Sequence, residues 1–340
     1  MKKLFESAIY ALTQNQSLVM VSVLASSGST PRSAGAVMLV FEDGHAEGSI
    51  GGGRAEYEAQ LHAASLLKTG CCDIVPYIMH ADEVKNLGMI CGGDITVHFH
   101  FIKGDAFLPL FEHLASLYTQ NKNSWFIRQL CGSQVTSVSV YENNVLTFGD
   151  AVKDNLLPEL LKNTSVYLPG DTAYFAEPVV QAGYVYIFGG GHVSQALVPV
   201  LARLGFRIVV YEDREAFATG ELFPDAEKII LGDFSRLHDF ITLTPYDYAI
   251  VVTRGHQADF EILSQILAEP LFYLGCIGSR KKVAFTRERL HKLGFTEEQM
   301  DTIHAPIGLP IKAETPAEIA ISIAAELIQH RAEHSIGTDM

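Results

Sequence analysis

Short apolar segments alternate with helical patterns from residue 184 to the end of the chain. The apolar segments are typical of buried strands, and the segments between them have the 3.6-residue spacing of amphipathic helices. Apolar strands that alternate with helices predict a mostly parallel sheet with helices on both faces. This feature constrains the second half of the chain to an α/β domain, which we place at residues 184–340.

A glycine-rich turn joins the first of these strands to the first helix, in YIFGGGHVSQAL. Gly189 allows a tight turn, and Gly191 allows the backbone to approach a pyrophosphate. The helix that opens at His192 supplies backbone N–H groups and a positive dipole end. Ser194 occupies the position of a third glycine, which predicts a slightly looser contact between helix and strand. A turn of this kind between a strand and a helix makes the predicted domain Rossmann-like.

The next strand ends in Glu212 and Asp213. An acid at this position can bind a ribose hydroxyl, so the turn and the acid together fit a pocket for NAD(P) or another nucleotide. They also fit a Rossmann-like domain that kept the turn and lost the ligand, because a fold does not fix a function. Both interpretations stay open.

Two further loops follow strands of the same predicted sheet. TRGHQAD offers a histidine and an acid three residues apart, which suffice for a proton relay or a metal contact. GCIGSRKK offers a hydroxyl and dense positive charge in an acidic chain. Each loop alone fits a helix cap or a solvated turn, but loops at adjacent strand ends favour a binding crevice. The candidate residues are Arg254, His256, Asp259, Gly278, Ser279 and Arg280, of which His256 and Asp259 are catalytic candidates.

The first half predicts a mixed α+β domain at residues 1–150, followed by a poorly patterned linker or junction at 151–183. Its strands and helices are less regularly ordered than those of the second half. The predicted elements are strands at 18–25, 36–41, 72–79 and 95–102, a hairpin around Glu142, Asn143 and Asn144, and helices near the N-terminus, over 54–70 and over about 105–119.

Glycines, arginines and one cysteine mark three loops of this first domain: SSGSTPRSAG, GSIGGGR and GMICGGD. Glycines at a strand-to-helix junction can hold a phosphate or carboxylate on backbone N–H groups. A thiol beside arginines would have a lowered pKa and an affinity for a soft metal. The alternative is a tight turn that contains a small apolar residue. The candidate residues are Arg32, Gly51, Gly52, Gly53, Arg54, Cys91, Gly92 and Gly93, with Cys91 also a catalytic candidate.

Charge and cysteine content exclude several classes. The formal net charge of −14 argues against nucleic acid as a partner, because that affinity depends on Lys and Arg. The five cysteines include no CxxC pair, which argues against a zinc ribbon and a disulfide framework. The N-terminal helix does not have the pattern of a signal peptide, and no apolar run is long enough to span a bilayer. We therefore expect a cytoplasmic protein and, as the commonest oligomer, a homodimer.

The ordered set of motifs resembles the XdhC/CoxI family of xanthine dehydrogenase accessory factors. The resemblance covers about residues 20–330, with two departures: Ser194 at the third glycine position, and Glu212-Asp213 where members often have two aspartates. The matching segments are SSGSTPRSAGAVMLVFEDG, GSIGGG, MICGG, YIFGGGHVSQAL, TRGHQADFEIL, YLGCIGSRKK and PIGLPIKAETPAEIAISIAAE.

The resemblance implies an accessory protein rather than an enzyme. Family members bind molybdenum cofactor, protect it while its terminal sulfido ligand is installed, and pass it to the apoenzyme of a molybdenum hydroxylase. A cysteine desulfurase-type sulfurtransferase is then a second partner. Cys91 matches the cysteine of the family's CGG motif and becomes the candidate for a molybdenum contact.

The residues independently fit such a cargo, which is an anionic pterin phosphate with a soft dithiolene. Gly51 to Gly53, Arg54 and Arg32 would hold the phosphate, and Cys91 would lie at the metal end. Two alternatives remain. One is an NAD(P)-dependent oxidoreductase that uses the second-half pocket with His256 as acid or base. The other is a scaffold that only docks a sulfurtransferase to an apoenzyme.

Overall fold

The computed structural model describes residues 1–28, 34–78, 93–180 and 183–335. The chain divides into two compact units, Met1–Gln181 and Ala182–Thr338. Within the described ranges, no helix combines the length and hydropathy that a bilayer crossing requires.

The first unit contains two five-stranded antiparallel sheets, with strand orders β3-β2-β1-β5-β4 and β8-β7-β6-β10-β9. It therefore has the predicted mixed α+β character. Its elements are α1 (Lys2–Thr13), β1 (Ser17–Gly28), β2 (Val37–Phe41), β3 (Ala46–Gly48), α2 (Gly53–Thr69), β4 (Asp73–Ile78), β5 (Gly93–Lys103), α3 (Leu108–Gln120), β6 (Ser124–Cys131), β7 (Gln134–Glu142), β8 (Val145–Gly149), α4 (Leu157–Leu160), β9 (Val166–Leu168) and β10 (Ala173–Val180).

Local sequence signals explain several of these boundaries. Helix α2 is capped by Gly70, as the sequence predicts. This glycine has a left-handed conformation (φ 71°), and its N–H donates to the carbonyl oxygen of Leu66 in the last turn. The β7–β8 hairpin turns at Asn143 and Asn144, which both have positive φ, and asparagine tolerates that region better than most residues. The alternation in β5 places one face of the strand against α2 and the other toward the second sheet.

Two large clusters of apolar side chains lie on opposite faces of the first sheet. Helices α1 and α3 pack on each other and on the inner faces of both sheets, around Phe5, Leu18 and Phe111. Helix α2 covers the outer face of the first sheet, where Ala59 and Ala63 allow close approach to Val97. Small residues at this spacing give the helix predicted over 54–70 a face that can pack closely on a sheet.

The expected junction at 151–183 is instead largely structured. Strand β10 pairs with β6 from Ala173 to Val180 and lies inside the second sheet, with β9 on its other side. The prediction failed because both faces of β10 are covered: its first five residues, AYFAE, are all buried, so the strand lacks the polar alternation of a half-exposed strand.

The second unit is the predicted Rossmann-like domain, a six-stranded parallel sheet with strand order β13-β12-β11-β14-β15-β16. Helices cover both faces, with separate apolar cores around Phe188 and Leu263 on one face and around Ile187 and Leu197 on the other. Its elements are β11 (Val185–Phe188), α5 (His192–Arg203), β12 (Ile208–Glu212), β13 (Lys228–Leu231), β14 (Tyr248–Val251), α6 (His256–Ile266), β15 (Tyr273–Cys276), α7 (Arg280–Lys292), α8 (Glu297–Asp301), β16 (Ile303–His304) and α9 (Pro316–Ser335).

Candidate functional site

The ends of three strands of the first sheet lie side by side, next to the points where the described residues stop before Arg32 and Cys91. Strand β1 ends at Gly28, which pairs with Gly93, the first residue of β5. Strand β4 ends at Ile78, which pairs with the next residue of β5. Residues 29–33 therefore follow β1, and residues 79–92 connect β4 to β5, at the same end of the sheet. Arg32, Cys91 and Gly92 themselves lie outside the described residues, so their roles stay predictions.

The Gly51–Gly53 loop leaves the same sheet in the same direction, but it begins several residues before the level at which β1 ends. It follows β3, which runs in the same direction as β1 and whose Gly48 pairs with Met38, level with Val21 of β1. All three glycines have positive φ, of 135°, 75° and 65°, which explains why glycine is required.

A carboxylate of the chain already fills this loop. Glu56 Oε2 accepts hydrogen bonds from Ile50 N (2.9 Å), Gly52 N (2.9 Å) and Ser49 Oγ (2.6 Å). Burial acts to raise the pKa of Glu56, but these hydrogen bonds outweigh it and hold the pKa below its ordinary value. The loop is thus shaped to hold anionic oxygen, as predicted for a phosphate, and holds a glutamate.

Arg54 follows the glycines on the exposed first turn of α2. Its Nε donates to Glu58 Oε1 at 2.6 Å, one helical turn further on. An exposed pair of this spacing is worth only a few tenths of a kcal/mol, roughly 0.3–0.5. This ion pair therefore contributes little to the stability of the turn.

The other cysteines of the first unit do not form a site. Cys71 and Cys131 are exposed and Cys72 is half-buried, and all three are free thiols. Among the residues that the structure describes, no three His, Cys, Asp or Glu side chains meet in a way that could hold a metal ion.

In the second unit, the strand order reverses between β11 and β14, and the crevice of such a sheet lies at this point, beyond the carboxyl ends of the strands. The turn after β11 is tightly packed at its start and open at its end. A Cβ on Gly189 (φ 111°) would lie 2.7 Å from the Val252 carbonyl oxygen, whereas a Cβ on Gly191 would meet nothing within 4 Å. Gly191 thus borders open space, and exposed His192 begins α5 beside it.

Ser194, at the position of the third glycine, makes a hydrogen bond of its own to the turn. It is fully buried, and its Oγ donates to the carbonyl oxygen of Gly189. The hydroxyl therefore ties the first turn of α5 to the glycine loop, a contact that a glycine at this position could not make.

Glu212 and Asp213 lie at the end of β12, next to the glycine turn, and have different surroundings. Glu212 is 1% exposed and accepts from Gly190 N at 2.5 Å and from Arg214 Nε at 2.7 Å. Burial opposes its charge, but these donors lower the pKa of Glu212 to about 2. Asp213 is partly exposed and pairs with Arg254 Nη2 at 3.0 Å. Burial and the Glu212 carboxylate raise the pKa of Asp213.

The expected relay between His256 and Asp259 is not formed. Asp259 is fully buried, accepts from Thr253 Oγ1 and lies 2.5 Å from Lys282 Nζ, so its charge is balanced within the fold. His256 is exposed at the start of α6, and its ring packs edge-on against Phe285. No hydrogen bond found in the described part of the chain joins the two residues.

The GCIGSRKK loop caps a helix. Ser279 is the N-cap of α7, and its Oγ accepts from Lys282 N at 3.3 Å; Arg280 is the first helical residue. Gly278 is crowded by the aliphatic part of Lys282, which would lie 3.2 Å from a Cβ at this position. Nearby Cys276 is buried, and burial raises its pKa to about 12, so this thiol is unreactive.

A buried polar cluster between the two sheets of the first unit was not found from the sequence. Arg128 is fully buried, and its Nη2 donates to Glu177 Oε2 (2.6 Å) and Ser22 Oγ (2.9 Å). His98 lies 3.4 Å from Arg128 Nη1, and its Nε2 contacts the Ser133 carbonyl oxygen at 2.9 Å. Burial, and then the charge of Arg128, lower the pKa of His98 to about 3.

The sequence signal for this cluster was the alternation HFH in β5, which puts His98 and His100 on one face of a strand. Histidines on the inner face of a strand require polar partners from the facing sheet. Those partners, Arg128 and Glu177, are 30 or more residues away in sequence, so the pairing could not be read from the strand itself.

The fold and these loops define an α+β unit with an anion-holding glycine loop, joined in one chain to a Rossmann-like unit. Two family models match the same two parts: one described as the XdhC and CoxI family covers residues 11–77, and one described as the XdhC Rossmann domain covers residues 185–327. The chain belongs to the XdhC and CoxI family.

Named relatives match along nearly the whole chain. A Bacillus subtilis protein named as a probable xanthine dehydrogenase subunit is 28% identical over 96% of this chain and 97% of its own length. The Escherichia coli "Molybdenum cofactor insertion chaperone PaoD" is 24% identical over 95% of this chain and 86% of its own length. A crystal structure of a xanthine dehydrogenase from Bacillus halodurans has a TM-score of 0.82 at 25% identity, with 99% of this chain and 97% of that chain covered.

Proposed function

We propose that the protein is a maturation factor for a molybdenum hydroxylase of the xanthine dehydrogenase type. It binds molybdenum cofactor and delivers it to the apoenzyme after the cofactor has been sulfurated. The names of the relatives, one a molybdenum cofactor insertion chaperone and one a xanthine dehydrogenase subunit, support this proposal.

The observation that carries the proposal is the pairing of Gly28 with Gly93 at one end of the first sheet. Because of this pairing, the chain leaves β1 toward Arg32 next to the point where it enters β5 after Cys91. We propose that Arg32 and Cys91 act together there, since a cationic side chain and a thiol suit an anionic cofactor with a soft metal end. In our proposal Cys91, flanked by Gly92 and Gly93, contacts that metal end.

The phosphate of the cofactor binds at Gly51, Gly52 and Gly53 in this proposal, with Arg54 and Arg32 as its cationic partners. The loop suits this role because its amides already hold a carboxylate, that of Glu56. A phosphate with more oxygens and more charge makes stronger charge-assisted hydrogen bonds to the same donors. The phosphate must therefore displace Glu56, whose side chain can rotate toward solvent.

Two protein partners follow from delivery after sulfuration: the apoenzyme of the molybdenum hydroxylase and a cysteine desulfurase-type sulfurtransferase. We also propose a homodimer and a cytoplasmic location, where a cofactor chaperone would meet newly made apoenzyme. Nucleic acid and membranes are not among the proposed partners, in keeping with the net charge of −14.

Cofactor retention by the purified full-length protein tests this function. Molybdenum analysis and fluorescence of the oxidised pterin are measured for the wild type, for Cys91→Ala and for Cys71→Ala, an exposed thiol of the same unit. We expect stoichiometric cofactor in the wild type and in Cys71→Ala, and loss in Cys91→Ala. Equal retention in Cys91→Ala would refute the assignment of Cys91.

The same experiment separates the alternatives. A protein that only docks a sulfurtransferase to an apoenzyme would retain no cofactor in any of the three forms, under conditions where a known binder retains it. An NAD(P)-dependent oxidoreductase would also retain none, and would show a turnover-linked change at the nicotinamide absorbance band.

A further inference from the structure

Acids, arginines and a glycine turn lie together at the carboxyl edge of the sheet in the Rossmann-like unit. The turn after β11 lies between the loops that follow β12 and β14, because β11 is the neighbour of both strands. Asp213 on one of these loops pairs with Arg254 on the other at 3.0 Å. The pair thus spans the carboxyl edge of the sheet on either side of the glycine turn.

Glu212 occupies the usual position of the ribose-binding acid but has no free acceptor capacity. Its Oε2 accepts from Gly190 N and from Arg214 Nη2, and its Oε1 accepts from the backbone N (3.1 Å) and Nε of Arg214. Only 1% of it is exposed. A Cβ on Gly190 would overlap the Phe217 carbonyl oxygen, so no ligand atom can enter between the turn and this carboxylate.

Asp213 has the properties that Glu212 lacks. Its side chain is 27% exposed, and its contacts with cations are the exposed Arg254 and, at 3.7 Å, Arg214. Arg254 is 55% exposed and can exchange a carboxylate for a ligand without breaking buried structure. The two acids and the two arginines balance each other, so the crevice does not repel an anionic ligand through net charge at this point.

Only some backbone amides of the glycine turn are available to bind a phosphate. The amide of Gly190 is already donated to Glu212, so it does not serve a ligand. Gly191 faces open space, and α5, a helix of 12 residues, begins directly after it. The first amides of a helix have no partner within the helix and suit a diphosphate.

We propose that this crevice binds a nucleoside diphosphate with an unmodified ribose, and that Asp213, not Glu212, accepts the hydrogen bonds of the ribose hydroxyls. The diphosphate lies against Gly191 and the start of α5. Arg254 moves from Asp213 to the ligand or stays as a bridge above the ribose. A ribose 2′-phosphate would meet the Asp213 carboxylate, so ADP and NADH are preferred over NADPH.

Calorimetric titration of the full-length protein at low salt tests this proposal with ADP, 2′-deoxyADP, NADH and NADPH. The wild type should bind ADP and NADH more tightly than 2′-deoxyADP and NADPH. Loss of a hydrogen bond to a charged group corresponds to roughly 10- to 100-fold in affinity. Asp213→Ala should therefore weaken ADP binding by at least about tenfold and abolish the preference for ADP over 2′-deoxyADP.

Asp225→Ala is the control, because this exposed acid precedes β13 at the opposite edge of the sheet. Thermal unfolding checks that Asp213→Ala is folded; if it is not, Asp213→Asn replaces it and should show the same loss of tight ADP binding. Retained preference for ADP in the Asp213 variant, or no binding of any of the four nucleotides to the wild type, would overturn the proposal. Neither result would bear on cofactor retention by the first unit.

Discussion

Each unit has three consecutive glycines between a strand and a helix, and in each the amide of the middle glycine donates to a glutamate. In the first unit Gly52 donates to Glu56, which belongs to the helix that the loop opens. In the second unit Gly190 donates to Glu212, which belongs to the neighbouring strand and is paired with Arg214. The two loops look alike in sequence and differ in how permanently their amides are occupied.

The difference determines what each loop can bind. Glu56 is half-buried and carried by a surface turn of α2, so an incoming anion can replace it. Glu212 is buried and fixed by four hydrogen bonds, so a ligand of the second loop must use Gly191 and the start of α5 instead. A run of glycines thus indicates a loop that can hold an anionic oxygen. The surrounding residues determine whether that oxygen belongs to a glutamate of the chain or to a ligand.

The largest expected loss of stability comes from a methyl group added at Gly190, the middle glycine of the second loop. In Gly190→Ala the new Cβ would overlap the backbone oxygen of Phe217, which cannot move without shifting its whole turn. We expect a loss of about 3 kcal/mol in the free energy of unfolding. Gly191→Ala is the matched control: its Cβ meets nothing within 4 Å and its φ is −72°, so stability should change by less than about 0.5 kcal/mol.

Thermal unfolding of both variants, followed by hydrogen exchange in peptides of the second unit, measures this difference. Equal stability of the two variants would show that the turn is not packed as described, and would remove the basis for treating Glu212 as inaccessible.

The second largest expected effect is a loss of stability in acid, which should be greater for the first unit than for the second. The pKa of His98 is about 3 in the folded first unit and about 6.5 when unfolded, so between these values the unfolded state binds the extra proton. The contribution of His98 to stability is therefore fully present above pH 6.5 and falls as the pH drops, by about 1.4 kcal/mol per pH unit, or about 2 kcal/mol between pH 6.5 and 5. In the second unit, Glu212 keeps its charge down to about pH 2 and adds no loss in this window, and half-buried His330, whose pKa burial lowers, should add a smaller loss than fully buried His98.

The single tryptophan, Trp125, is buried in β6 of the first unit and reports its unfolding selectively. Urea unfolding followed by Trp125 fluorescence at pH 7 and pH 5 should show the loss in the wild type and a smaller pH dependence in His98→Gln. The same pH dependence in both proteins would contradict the assignment of His98.

The smallest stability effect is expected at the first loop. Glu56→Gln removes the charge that strengthens the hydrogen bonds from Ile50 and Gly52, at a cost of about 1 kcal/mol. Because the amide competes less well with a phosphate than the carboxylate does, the variant should retain more molybdenum cofactor than the wild type. Glu112→Gln, at an exposed glutamate of α3 in the same unit, changes charge equally and should alter neither quantity measurably.

Urea unfolding by Trp125 fluorescence and pterin fluorescence of the purified variants measure the two quantities. Reduced retention in Glu56→Gln would mean that Glu56 organises the loop for the cofactor rather than competing with it.

Features that depend only on residues close together in the sequence could be predicted from it. The alternation of apolar strands and helices, the turn at Gly189 and the end of α2 at Gly70 are all local, and the structure confirms them. The position of β10 could not be predicted, because a strand buried on both faces has no alternation to read.

The site was less predictable than the fold for the same reason. The glycines and acids of both loops could be found, but hydrogen-bond partners such as Gly190 with Glu212 join residues from different elements. Glu56, four residues after Gly52, had a local signal in its place on the first turn of the helix, and was overlooked because a phosphate was expected there. The choice between Glu212 and Asp213 depends on Arg214, whose guanidinium saturates the first acid.

The most direct test of the two-site account is to measure pterin retention and ADP affinity on the same preparations of the wild type, Cys91→Ala and Asp213→Ala. We predict that Cys91→Ala loses the pterin and binds ADP normally, and that Asp213→Ala retains the pterin and binds ADP at least about tenfold more weakly. Loss of both ligands in either variant, or full pterin retention in Cys91→Ala, would contradict the assignment of molybdenum cofactor to the first unit and a nucleotide to the second.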